Sequence, residues 1–143
     1  MTPGRWPSWR AWLAVAIGGI CGTELRYGLG LMFPEHSGAI PWTTLGINVV
    51  GSFVLAFLTT VWMARPGTAF WLRAGLGPGL LGSFTTFSAV AYSLDSLARS
   101  GAYLPFVGYL ALSLVLGLGA AAAGWRAGRA MPGGSTLQSR GTP

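Results

Sequence analysis

Lysine is absent from this chain, and carboxylates are nearly so. Glu24, Glu35 and Asp95 are the whole acidic set, against nine arginines. Charged residues make up 8% of 143 positions, where soluble domains carry roughly 25%. That shortage excludes a disordered chain, which needs many charges and little apolar content. It also excludes an ordinary soluble domain, because so small a body cannot hide 52% hydrophobic residues. A single cysteine, Cys21, excludes a disulfide scaffold. One histidine, one cysteine and three carboxylates offer no metal-ligand cluster. Without lysine there is no lysine-type phosphate loop. No nucleophile, base and carboxylate set can be assembled, so no enzyme is expected. What is present is apolar, and it points to a one-domain integral membrane protein.

Four apolar stretches are long enough to span about 30 Å of hydrocarbon, which takes about 20 helical residues. They cover 12–33, 42–64, 74–94 and 102–125, in an all-α membrane domain over 1–125. The connections are too short to hold a soluble domain, and the Gly/Ser/Arg-rich tail 126–143 is expected to be disordered. Arg5 and Arg10 ahead of AWLAVAIGGI look like the start of a signal peptide. The apolar run continues past Cys21, so no cleavage is expected. The net charge of +6 reads as a topology signal rather than as attraction for nucleic acid. Arg5, Arg10, Arg65, Arg73, Arg126, Arg129 and Arg140 fall on one side of a four-span chain, against Arg99 and the intramembrane Arg26. That bias places both termini in the cytoplasm.

The third stretch is unusual. It reads AGLGPGLLGSFTTFSAVAYSL, with Gly75, Gly77, Pro78, Gly79 and Gly82 followed by Ser83, Thr85, Thr86 and Ser88. Glycine and proline weaken a helix interior, and a helix broken at membrane depth is tolerated only where protein or a polar cavity covers its freed backbone. Such breaks form ion sites; the alternative is close packing through Gly75 and Gly79. Phe84 and Phe87 are three apart, hence roughly on one helical face. Their electropositive ring edges would attract an anion, or they simply contact lipid. Asn48 lies in the second stretch, with Thr44 one turn earlier. Its amide either glues helices together or offers donors to an ion. Ser113 in the fourth stretch either adds a hydroxyl or bonds to its own backbone. Arg26 and Glu24 are intramembrane charges and hence functional candidates. Arg26 fits a vestibule that attracts anions, or an interfacial side chain reaching water.

GGICGTELRY (18–27), TTLGINVVGSF (43–53) and GLLGSFTTFS (79–88) together resemble the small bacterial fluoride channels of the Fluc (CrcB-like) family, across all four spans in order. The resemblance implies an antiparallel dimer of four-span subunits with two narrow pores, in the cell (inner) membrane. It implies passive export of fluoride, which lowers cytoplasmic fluoride. It also implies a structural sodium ion, Na+, at the third-helix break. That ion is not transported, and Gly82 and Thr85 would give it backbone carbonyls. Asn48 matches the pore asparagine, Thr44 the polar residue a turn before it, Phe87 the first of two pore phenylalanines, and Arg26 the first-helix arginine.

Two positions depart from that pattern. Val90 stands where the second phenylalanine is usual, and Ser93 where a glutamate is usual. An antiparallel homodimer also needs a chain that inserts both ways, which the arginine bias disfavours. The chain therefore pairs either with itself, if insertion tolerates this bias, or with an oppositely oriented paralogue, which the departures favour. Two other functions compete: an accessory, non-conducting subunit, and a small multidrug exporter built on Glu24.

Overall fold

The computed structural model describes residues 7–36 and 38–131, and these are helical apart from short connections. No strand occurs among them. Helix α1 covers Trp9–Met32 and α2 covers Trp42–Ala64. The third stretch is composite: α3 (Phe70–Ala74), a wide π-helical segment (Gly75–Leu81), the single turn α4 (Gly82–Phe84), and α5 (Phe87–Arg99). Helix α6 covers Tyr103–Arg129.

Prolines set the ends of the first two helices. Helix α1 stops at Phe33 ahead of Pro34, and α2 stops at Arg65 ahead of Pro66, because a residue before proline is driven out of the helical region. Gly101 takes a positive φ of 71° and turns the chain from α5 into α6. The helix runs on to Arg129, past the boundary expected at 125, because Ala and Trp followed by Arg126 and Arg129 suit a helix C-terminus. The rest of the expected tail, 132–143, lies outside the described residues.

Close backbone approaches fix the register of the bundle. A Cβ on Gly18 would collide with the Gly75 carbonyl, and one on Gly22 with the Leu80 carbonyl, so α1 and the third stretch run parallel. A Cβ on Gly124 would strike the Phe53 carbonyl, and one on Gly128 would lie 2.8 Å from Thr60 Cβ, so α2 and α6 are also parallel. Gly77 faces Trp62, while Asn48 bonds to Thr86, so α2 runs antiparallel to the third stretch. Arg10, Arg65, Arg73, Arg126 and Arg129 therefore share one end of the bundle. Glu35, Asp95 and Arg99 sit at the other, where Arg99 pairs with Asp95 at 2.7 Å.

The interior is small. Leu45, Leu97 and Tyr109 form its centre, with Val90 and Phe106 packed against them. Large apolar side chains face outward instead: Leu31, Leu104 and Leu118 are at least 65% exposed. Apolar surface on this scale is stable only in a nonaqueous surround or against a partner. Helices α2 and α6 meet the length and composition of a membrane crossing. Of the four spans expected, the other two depart from that measure for visible reasons. Helix α1 carries Arg10, Glu24 and Arg26, and the third stretch is divided into segments.

Candidate functional site

The break does not fall on the glycines and proline that suggested it. Gly75–Leu81 stays helical but widens. Pro78 has no N–H for the ordinary i−4 bond, and glycines let the segment lie against α1. The chain opens further on, at Thr85 (φ −78°, ψ 153°) and Thr86 (φ −150°, ψ 118°), both extended.

Two hydrogen bonds redirect the backbone there. In a continuous α-helix the Thr86 amide would bond to the Gly82 carbonyl. Here it donates to Asn48 Oδ1 at 2.8 Å, while Asn48 Nδ2 donates to the Thr86 carbonyl at 3.0 Å. The Ala89 amide would likewise reach the Thr85 carbonyl. It donates instead to Thr86 Oγ1 at 3.1 Å, which caps α5. Gly82 and Thr85 thus both lose the helical partners of their carbonyls. Thr85 Oγ1 turns back to donate to the Leu81 carbonyl at 2.9 Å. Gly51 makes room for it, since a Cβ there would collide with Thr85 Cγ2. The freed oxygens are neutral and hard, the kind that suits a monovalent cation. Two per chain fall short of a full shell, so such an ion needs further ligands from outside the chain. No cluster of three His, Cys, Asp or Glu occurs among the described residues.

Beside the break lies a cleft of about 570 Å³. It brings together four of the expected site residues: Arg26 from α1, Thr44 from α2, and Thr86 and Ser88 at the start of α5. Arg26 is half-buried there, and Glu24 is exposed. Thr86 and Ser88 hydroxyls share one bond at 3.0 Å. A bond between two hydroxyls uses one proton, so the other remains available to an anion. Glu35 and Tyr92 also line the cleft. Glu35 Oε1 accepts from the Thr44 amide at 2.7 Å and so caps α2 from a distance. Neither residue was singled out from sequence, and only the isolation of Glu35 ahead of a proline-started helix hinted at a cap.

The remaining expected residues lie apart from this cleft. Asn48 stands behind it with its oxygen and one amide hydrogen engaged. Phe84 and Phe87 do not share a face, because the extended residues between them break the helical period. Phe84 is 6% exposed and lines an apolar groove with Phe33 and Trp42, whereas Phe87 is 85% exposed. Ser113 is on α6, where its Oγ and the hydroxyl of fully buried Tyr109 make no hydrogen bond of good geometry among the described residues. Both hydroxyls can donate, and Tyr109 was not anticipated. Val90 packs into the Leu45, Leu97 and Tyr109 core. Ser93 borders a small cavity of about 140 Å³ with Glu35 and Tyr92.

The sequence has relatives among known proteins. Residues 13–125 match the family model described as CrcB-like protein, Camphor Resistance (CrcB). The chain is 42% identical over 118 residues to "Fluoride-specific ion channel FluC" of Chloroflexus aurantiacus, covering 82% of this chain and 94% of that protein. It is 40% identical over 117 residues to "Fluoride-specific ion channel FluC 2" of Geobacillus kaustophilus, covering 81% and 91%. A protein of the former name from Thermus thermophilus is 40% identical over 125 residues, covering 85% and 98%.

Proposed function

The chain belongs to the CrcB-like family, and from that premise we propose that it is a subunit of a fluoride-specific ion channel that lets fluoride leave the cell passively. The observation that carries the reading is the similarity to fluoride channels over nearly their whole length. The cleft supports it in physical terms. Fluoride is small and strongly hydrated, and removing its water requires replacement donors. Arg26 raises the local concentration of anions at the cleft. Thr44, Thr86 and Ser88 offer hydroxyls, and Tyr109 and Ser113 offer two more deeper in the bundle. Several modest sites, rather than one tight one, allow an ion both to enter and to leave.

The subunit spans the membrane four times, with the Thr85–Thr86 break at membrane depth. The arginine-rich end, and with it both termini, faces the cytoplasm of the cell's inner membrane. The carbonyls of Gly82 and Thr85 hold a structural Na+ where the breaks of two subunits meet, and the ion offsets the negative ends of converging peptide dipoles. The dimer is antiparallel. The one-sided arginines favour an oppositely oriented paralogue as the partner, and that paralogue carries the pore phenylalanine that Val90 replaces in this chain. The test is fluoride efflux from liposomes holding this chain alone and with copurifying subunits. Efflux that requires the second subunit supports the heterodimer. Full efflux from the chain alone contradicts it and supports the homodimer.

A further inference from the structure

We propose that the groove between α1 and the third stretch, at the arginine-rich end, is a binding site for one anionic phospholipid. Two openings, of about 390 and 280 Å³, share Ala14, Ile17 and Trp71 and so form one continuous groove. It starts at Arg10 and ends near Cys21 and Leu80. Along α1 that is about 16 Å at about 1.5 Å per residue. Half of a hydrocarbon core about 30 Å thick is about 15 Å. The groove is therefore one leaflet deep, the length of an acyl chain.

Its floor is backbone. Gly18 meets the Gly75 carbonyl directly, so no side chain rises between the helices there. The walls are apolar, with exposed Ile17 and the Trp71 ring at the upper part and Leu80 below. Arg10 stands at the open end with its guanidinium 5.8 Å from the Trp9 ring centre. A cation–π contact at that distance uses none of the guanidinium N–H groups in a hydrogen bond and leaves them for a phosphate. The charge at this end has one sign: Glu35 and Asp95 lie at the opposite end, and Glu24 lies beyond Cys21 on α1. Among the described residues the one ion pair is Arg99 with Asp95, away from this groove. A zwitterionic lipid such as phosphatidylcholine fits the walls and offers a phosphate, but its choline sets a second cation beside Arg10 and cancels the net attraction.

Native mass spectrometry of the full-length protein, purified from equal phosphatidylglycerol and phosphatidylcholine, tests the site. The expected result is one phosphatidylglycerol per protomer, preferred about fivefold, the ratio that about 1 kcal/mol per interfacial arginine produces. R10Q, an exposed position, should remove that preference while R126Q keeps it. Ile17→Trp, which fills the groove, should lower retention of both lipids. Equal retention of the two lipids by the natural protein overturns the proposal, as does a preference unchanged in R10Q. Retention of no lipid by an intact dimer also overturns it, and would assign the groove to a second protomer.

Discussion

The side-chain amide of Asn48 forms two hydrogen bonds to the backbone of a single residue, Thr86, which lies 38 positions away in sequence. The amide orientation is fixed by chemistry, since the Thr86 N–H can only donate and its carbonyl can only accept. Asn48 thereby stands in for the helical bonds that the chain gives up between α4 and α5. The freed Gly82 carbonyl is a direct consequence.

Replacing Asn48 with alanine leaves a buried N–H and carbonyl without partners. We expect a stability loss of about 1–3 kcal/mol for each group left unsatisfied, together with loss of fluoride efflux of at least about tenfold. Thermal unfolding in detergent and efflux from liposomes measure the two. Asn48→Asp keeps the acceptor for the Thr86 amide but turns a carboxylate oxygen toward the Thr86 carbonyl. It should be at least as damaging as alanine.

Gly51 and Thr85 are coupled by space. Gly51→Ala should cost about 1–3 kcal/mol, because the new methyl meets Thr85 Cγ2 in a packed region. Thr85→Ser removes that methyl and keeps the hydroxyl bonded to Leu81. A double-mutant cycle should return a coupling of about 1 kcal/mol or more, with Thr85→Ser rescuing Gly51→Ala. Additive effects would show that the break does not rest on α2 at this point.

Arg26 lines the cleft, and its expected effect there is through its field. Arg26→Gln should lower fluoride flux several-fold at about 10 mM salt and much less at about 1 M, where the Debye length falls to about 3 Å. Efflux measured across ionic strengths reads this. A loss that is independent of salt would mean that Arg26 holds structure instead.

Val90→Phe restores the residue usual at that position by resemblance, but this side chain lies against Leu45, Leu97 and Tyr109. Overpacking should lower stability by about 1–3 kcal/mol without raising efflux. Thermal unfolding together with efflux decides it. Faster efflux at unchanged stability would show that position 90 faces the ion path in this chain.

Much of this was legible in the sequence because lipid leaves strong marks on composition. The apolar stretches, the single-sign arginine end and the small-residue third stretch all follow from the shortage of charge. Thr86 and Ser88 were named from residue type and place in the third stretch, Arg26 and Thr44 also by the resemblance, and the fold brings all four to one cleft. The position of the break was not legible from residue type, and only the resemblance put freed carbonyls at Gly82 and Thr85. Pro78 and its glycines pointed to 75–82, but packing on α1 keeps that segment helical, and a side chain from α2 opens the chain at Thr85–Thr86 instead. The common face expected for Phe84 and Phe87 fails for the same reason, since a period of 3.6 holds only while the helix continues. Tyr109 was hidden among many aromatic residues, because only its neighbours in space make its hydroxyl unusual.

Conduction of fluoride is read in a reconstituted membrane. The protein is purified from its own membrane with whatever subunit accompanies it, placed in liposomes loaded with fluoride and chloride, and followed with ion-selective electrodes. Fluoride is expected to leave rapidly once charge balance is provided, chloride to stay, and Asn48→Ala to abolish the fluoride signal. Fluoride held inside the liposomes, or chloride leaving at the same rate, would contradict it.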